Sequence, residues 1–146
     1  MGSAADATTV QRPELSPDEQ AEIEAIAAQV LAEAPPESWP RKPLRNLLQR
    51  GREQALHRAY VRGIIDGAFY TQQRLAADPG TLDRWFAAVN AGVTPDWGLP
   101  NAALILKRTD YADFNEWMAA IERYAVGYGR AVLALALERF RAAQTT

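Results

Sequence analysis

Seven bases stand within twenty-two residues of this 146-residue chain: Arg41, Lys42, Arg45, Arg50, Arg52, Arg58 and Arg62, against a single acid, Glu53. The segment carries a net +6, residues 1–40 hold eight acids and one base, and the whole chain sums to -2. A positive block of this density is the electrostatic footprint of a site for a polyanion. Arginine outnumbers lysine fourteen to two, and a guanidinium presents a rigid fork of donors that fits a phosphate in two-point contact. Arg45, Arg50, Arg52, Arg58 and Arg62 are therefore the candidates for phosphate contacts, which carry affinity without reading a base sequence. On a continuous helix Arg45 and Arg52, seven apart, share one face, and Arg58 and Arg62, four apart, share another. The competing reading is a solvated helix face balanced by the acidic N-terminal segment, with Arg45 paired to Glu33 or Glu37.

Other chemistries are poorly served. The chain has no cysteine, which excludes disulfides, zinc fingers and thiol nucleophiles. The one histidine, His57, has no second ligand at helical spacing, so no metal site and no cofactor is expected. Asp66, within Gly63-Ile64-Ile65-Asp66-Gly67, reads as an ion-pair partner for Arg62 one turn back. Asp110, Asp113 and Glu116 sit where a helix begins, where acids complement the helix dipole. Neither a GxxxxGK[ST] loop nor a nucleophile elbow occurs, and a non-enzymatic role is expected.

The elements that must position the arginines read as helices. Residues 1–13 are small and polar without periodicity, a disordered tail, and residues 14–146 form a single helical domain. Ser16-Pro17-Asp18-Glu19 is a capping box opening a helix with an Ile23, Ile26, Val30, Leu31 stripe, stopped by Pro35-Pro36. From Pro43 and Leu44 to about Ala76 the pattern is helical, with a break allowed at Gly51. Its ladder of Ala55, Ala59, Gly63 and Gly67 lets another helix approach closely. Thr81 caps a short helix with Trp85 that stops at Gly92, and Pro100–Lys107 forms another. Asp110 caps the last and longest helix, striped by Met118, Ile121, Ala125, Tyr128, Val132 and Leu135. The fold class is all-α, a compact bundle of about five helices with a long C-terminal helix. The expected core includes Leu44, Leu48, Ala55, Ala59, Gly63, Trp85, Trp117, Ile121 and Tyr128, and the clustered aromatics of the last helix read as core. Leu133, Leu137 and Phe140 make a second apolar stripe, expected to contact another chain or to lie under the acidic first helix. The longest apolar run, Ala131 to Leu137, is too short to span a bilayer, and a cytoplasmic protein is expected.

Three stretches resemble a known family. Lys42 followed by Leu44-Arg45-Asn46-Leu47-Leu48 is similar to a helix-start motif of the small helical subunit of type III-A CRISPR interference complexes. Phe114-x-x-Trp117-Met118-x-Ala120-Ile121-x-x-Tyr124 resembles that family's C-terminal signature, and Ala59-Tyr60-x-x-Gly63 its middle helix. The pattern is interrupted at Pro43 and departs from the family at Ile64 and Ala119. The resemblance implies a non-catalytic ribonucleoprotein subunit, stacked in copies along a guide RNA–target RNA duplex and bridging neighbouring subunits. The alternative is a helical structural or assembly protein of a phage or similar particle, a homo-oligomer formed without nucleic acid. A helix-turn-helix regulator ranks last, because Leu44 to Tyr60 lacks a clear turn.

Overall fold

The structure, a computed structural model, describes residues 14–36, 39 and 47–144, with the side chains of 47–50 outside that description. The expected tail 1–13 and residues Arg41, Lys42, Pro43, Leu44 and Arg45 therefore lie outside the described residues. The fold is all-α: α1 (Pro17–Ala32), α2 (Leu47–Ala77), α3 (Gly80–Asn90), α4 (Ala102–Ile105), a 3-10 turn (Arg108–Asp110) and the long C-terminal α5 (Phe114–Gln144). No strand occurs among the described residues.

Local chemistry fixes the helix ends. The Ser16 side chain accepts from the Glu19 N–H at 3.2 Å, the Glu19 carboxylate accepts from the Ser16 N–H at 3.0 Å, and Pro17 occupies the first helical position. Two caps differ from the sequence expectation. At α3 the Asp78 carboxylate, not Thr81, accepts from the Gly80 N–H (3.2 Å), while Thr81 is buried and its hydroxyl accepts from Arg84 at 3.0 Å. At α5 the cap is Asp113, which accepts from the Glu116 N–H at 2.7 Å, and Asp110 belongs to the 3-10 turn before it. The buried Glu116 carboxylate in turn accepts from the Ala112 N–H at 2.8 Å, satisfying a second donor at the same helix end. Gly92 ends α3 at φ +75°, with Val93 N–H donating to the Ala88 carbonyl and Gly92 N–H to the Val89 carbonyl. No break occurs at Gly51, and α2 runs unbroken for 31 residues.

The small-residue ladder of α2 faces α5. A Cβ on Gly63 would strike the Tyr124 carbonyl oxygen, one on Gly67 would lie 2.6 Å from the Tyr128 carbonyl oxygen, and one on Gly127 would strike the Tyr60 carbonyl oxygen. Later residues of α2 meet later residues of α5, so the two longest helices run parallel. Parallel helices need a connection that returns over their length, roughly 46 Å at 1.5 Å per residue. The connection 78–113 supplies it jointly, with α3, the irregular stretch 93–101, α4 and the 3-10 turn between the two long helices. α1 crosses antiparallel to both. Ile23, Ile26 and Val30 pack into one cluster with Tyr60, Ile64, Ala131 and Leu135. A second cluster joins Leu56 and Ala59 of α2, Trp85 of α3, Ala102 and Leu106, and Tyr124 and Tyr128 of α5.

Tyr128, Val132 and Leu135 of the expected α5 stripe are buried, but its other half is displaced toward the small residues. Ala120, Tyr124, Gly127, Tyr128, Ala131 and Leu135 are buried, whereas Met118 is 46 % exposed and Ile121, Ala125 and Trp117 are half-buried. The reason is the close helix contact: the α5 face that meets α2 must carry small side chains, and these are weak signals in a hydrophobic pattern. Phe114, expected in the core, is 56 % exposed. Ala55, Ala59, Gly63, Trp85 and Tyr128 are buried as expected; Leu44 and the Leu48 side chain lie outside the described residues.

At the centre of the α2–α5 contact the Tyr124 hydroxyl donates to the Asp66 carboxylate at 2.7 Å, both residues being buried. Burial first, and this bond second, push the Tyr124 hydroxyl far above the ordinary tyrosine value. Burial moves Tyr128 the same way. An unfolded tyrosine loses its proton near pH 10, whereas folded Tyr124 keeps it. Above about pH 10 the unfolded state therefore binds fewer protons, and stability falls by about 1.4 kcal/mol per pH unit for each such group. Urea unfolding between about pH 8 and 11 should show this decline, and Tyr124→Phe should lessen it while costing about 1 kcal/mol at neutral pH through the lost hydrogen bond to Asp66. The glycine contact gives opposite signs at two sites. Gly63→Ala should lower stability by about 1–3 kcal/mol, because the neighbouring atom is backbone and cannot rotate away. Gly129→Ala, with nothing within 4 Å of the added carbon, should raise stability by about 1 kcal/mol through helix propensity. Chemical denaturation of the two variants beside the parent checks both.

Candidate nucleic-acid interface

The acidic N-terminal segment and the basic block do not neutralise each other among the described residues. Glu22 of α1 receives two hydrogen bonds from Arg139 of α5, at 2.6 and 2.9 Å, and one from Gln72 of α2 at 2.8 Å. The Arg139 bond holds the Glu22 carboxyl below its ordinary range. Glu33, one of the two acids the competing reading offers to Arg45, lies 4.0 Å from Arg130 of α5, while Arg45 and Glu37 lie outside the described residues. Arg130 also donates to the Ala34 carbonyl (3.2 Å) and the Tyr60 hydroxyl (2.9 Å). Arg123 stacks on Trp39 at 3.8 Å, and Trp39 meets Tyr60 edge-on. The arginines that tie down the acidic segment thus come from α5. Arg52, Arg58 and Arg62 of α2 pair with none of these acids among the described residues.

Arg52, Arg58 and Arg62 are all exposed on α2. Arg58 and Arg62, one turn apart, line a cleft of about 290 Å³ with Ala55, Ala59, Leu106 and Tyr111. Arg62 Nε lies 3.7 Å from the Asp66 carboxylate, the expected pair, with 53 % of the Arg62 side chain still exposed. Asp66 orients this guanidinium from below. The Tyr111 hydroxyl is raised by burial and by Asp110, and lowered by the charges of Arg62 and Arg58, which places both cations close to it. Arg108 donates to the Tyr111 carbonyl at 3.2 Å and braces the turn that carries the ring. The arrangement offers two fork-shaped donors and a phenol hydroxyl to an anion of phosphate size, with the Asp110 carboxylate on its rim.

Arg45 lies outside the described residues, and so does the Arg50 side chain, although its backbone is helical. His57 is exposed beside the cleft residues without a ligating neighbour of its own type, and no group of three or more His, Asp or Glu able to hold a metal occurs among the described residues. Leu133 and Leu137 are 46 % and 37 % exposed. Phe140 is taken up within the chain, stacked on Phe86 of α3 with ring centroids 3.6 Å apart. The residues beneath α1 are Ala131, Ala134 and Leu135 instead. Sequence reasoning missed Leu106 and Tyr111, which reach the cleft from a segment about fifty positions away. No local signal marks such residues.

Among the described residues no helix is long and apolar enough to cross a membrane. The motif residues Trp117, Ala120 and Tyr124 serve packing: Trp117 Nε1 donates to the Leu106 carbonyl at 2.8 Å, and Ala120 and Tyr124 are fully buried. No protein-family model matches the chain, and no curated protein or solved structure matches it.

Proposed function

We propose that this chain is a non-catalytic helical subunit of a ribonucleoprotein, contacting the guide RNA–target RNA backbone through α2 and neighbouring subunits through α5. The observation that carries the reading is the pair Arg58 and Arg62, exposed beside Tyr111 while Glu22 of α1 and Glu33 just after it are held by arginines of α5. Arg58 makes no ion pair among the described residues, and the Arg62 side chain stays 53 % exposed above Asp66, so both can gain by meeting a phosphate. The resemblance to the type III-A subunit supports RNA over DNA as the polyanion. Binding on this reading tolerates any sequence, since guanidinium–phosphate contacts position without specifying.

Titration of a short RNA duplex with the full chain across a salt series tests it. Arg52→Ala, Arg58→Ala and Arg62→Ala should each lower the salt slope by about one, the signature of one fewer phosphate neutralised, and weaken all sequences alike. Melting followed in parallel separates the roles of Arg62. Reduced stability with RNA affinity intact would assign it to Asp66 alone. Failure of the parent to bind RNA at low salt removes the reading.

The exposure of Leu133 and Leu137, one turn apart on α5, favours a second reading, an assembly protein that oligomerises without nucleic acid. Leu133→Glu with Leu137→Glu should then convert an oligomer to a monomer in light scattering at unchanged melting temperature. A parent that is monomeric without RNA leaves this second reading without support.

A further inference from the structure

A second cleft among the described residues lies apart from the arginine cleft. It has a volume of about 1060 Å³, at the upper end of the range for small-molecule sites, and it lies between the later part of α2, α3 and the extended stretch 95–100. Tyr70 and Arg74 enter it from α2, Trp85 from α3 and Tyr128 from α5, while Pro95 and Pro100 close the side made by the connection.

The polar groups of this cleft are unequally committed. Arg84 is neutralised by Asp78 at 2.5 Å, and the Trp85 indole N–H is spent on the Asp96 carbonyl at 3.0 Å. The Asp96 carboxylate accepts from the Gly98 N–H at 3.0 Å. Arg74 donates one N–H to the Trp97 carbonyl at 3.0 Å and has no carboxylate within ion-pair distance among the described residues. Its guanidinium keeps further donors. Tyr128 is 2 % exposed, yet its hydroxyl makes no hydrogen bond to any described residue. That oxygen is not sealed in protein either, since the fully enclosed side-chain atom without a partner is Gln72 Oε1. A nearly buried phenol whose hydroxyl meets only the cleft is a donor without an acceptor. The Arg74 charge lies near enough to oppose the rise that burial imposes on it. Two donors thus line one cleft, one charged and one neutral, together with the aromatic side chains of Tyr70 and Trp85.

The geometry points to a binding site for a small planar aromatic carboxylate, its ring against Tyr70 and Trp85 and its carboxylate shared by Arg74 and the Tyr128 hydroxyl. The backbone around the cleft is prepared for close approach. Gly98 adopts φ +71°, and the Arg74 guanidinium fills the place where a side chain on that residue would stand. Arg74 therefore holds the connection down and faces the ligand with the same group. The site is separate from Arg58 and Arg62 and stands whether or not RNA binds.

Calorimetric titration of the full chain with 1-naphthoate and with its neutral counterpart 1-naphthamide decides the matter. Saturable binding of the acid, at least about tenfold tighter than the amide, is expected, as one charge-assisted contact commands. Tyr128→Phe keeps the ring and removes only the partnerless hydroxyl, so it should weaken naphthoate about tenfold at unchanged melting temperature. Arg74→Gln should abolish the preference for the acid. No saturable binding to the parent, equal binding of acid and amide, or full affinity in Tyr128→Phe would each overturn the assignment.

Discussion

The rest of the molecule depends on two helix backbones touching. Gly63 and Gly67 on α2 and Gly127 on α5 let carbonyl oxygens of the partner helix occupy the space of missing side chains. Contact at this distance brings a large area of main chain and ring surface together, and dispersion rewards it because every atom on the seam has a close neighbour. It also leaves no room for a polar group to wander. Asp66 and Tyr124 meet across this seam and satisfy each other. Asp66, fixed there, then sets the direction of Arg62 at the surface. A packing constraint in the interior thus orients a cation outside.

Charge is distributed by the same frame. α5 contributes Arg123, Arg130 and Arg139 to the linker and helix at the N-terminal side: one stacked on Trp39, one bridging Glu33, Ala34 and Tyr60, one forked on Glu22. Partly buried pairs of this kind are screened less than surface pairs. The effect is a sorting of arginines into two classes. Arg123, Arg130 and Arg139 of α5 are internal fasteners, whereas Arg52, Arg58 and Arg62 of α2 are exposed and pair with none of the acids of α1 among the described residues. The formal balance of the chain hides this sorting, since near-neutrality is reached by cations and anions from different helices than their order in sequence implies.

Local features were legible because their physics is local. The Ser16–Glu19 box, the proline at the first helical position and the glycine after α3 each act over four residues or fewer, and each appears where the sequence places it. The ladder of small residues on α2 was legible as a close-approach face, though not its partner or its parallel direction. The caps at α3 and α5 slipped by three residues, since Asp78 competes with Thr81 and Asp113 with Asp110, and only the run of the chain before each helix decides between them. The stripe of α5 was misjudged for a different reason: alanine and glycine carry little hydrophobic weight but occupy the most buried line. The two clefts were illegible. One joins residues near position 60 to residues near 110, the other gathers four elements, and no periodicity links positions that far apart.

Because α2 and α5 run side by side in the same direction, they cannot form by folding a hairpin back on itself. The approach of Gly63 to Tyr124 closes a loop of about sixty residues, with a chain-entropy cost of roughly 3–4 kcal/mol before any packing offsets it. Helices that zip from a tight turn avoid that cost; this pair meets it in full. During synthesis α2 is complete well before α5 exists, and its glycine-lined face has no mate until the connection, with its three tethers to Arg74, Trp85 and Trp117, has been laid along it. The connection is in this sense a template. It carries the last helix back to the beginning of the second and determines that the two will meet head beside head.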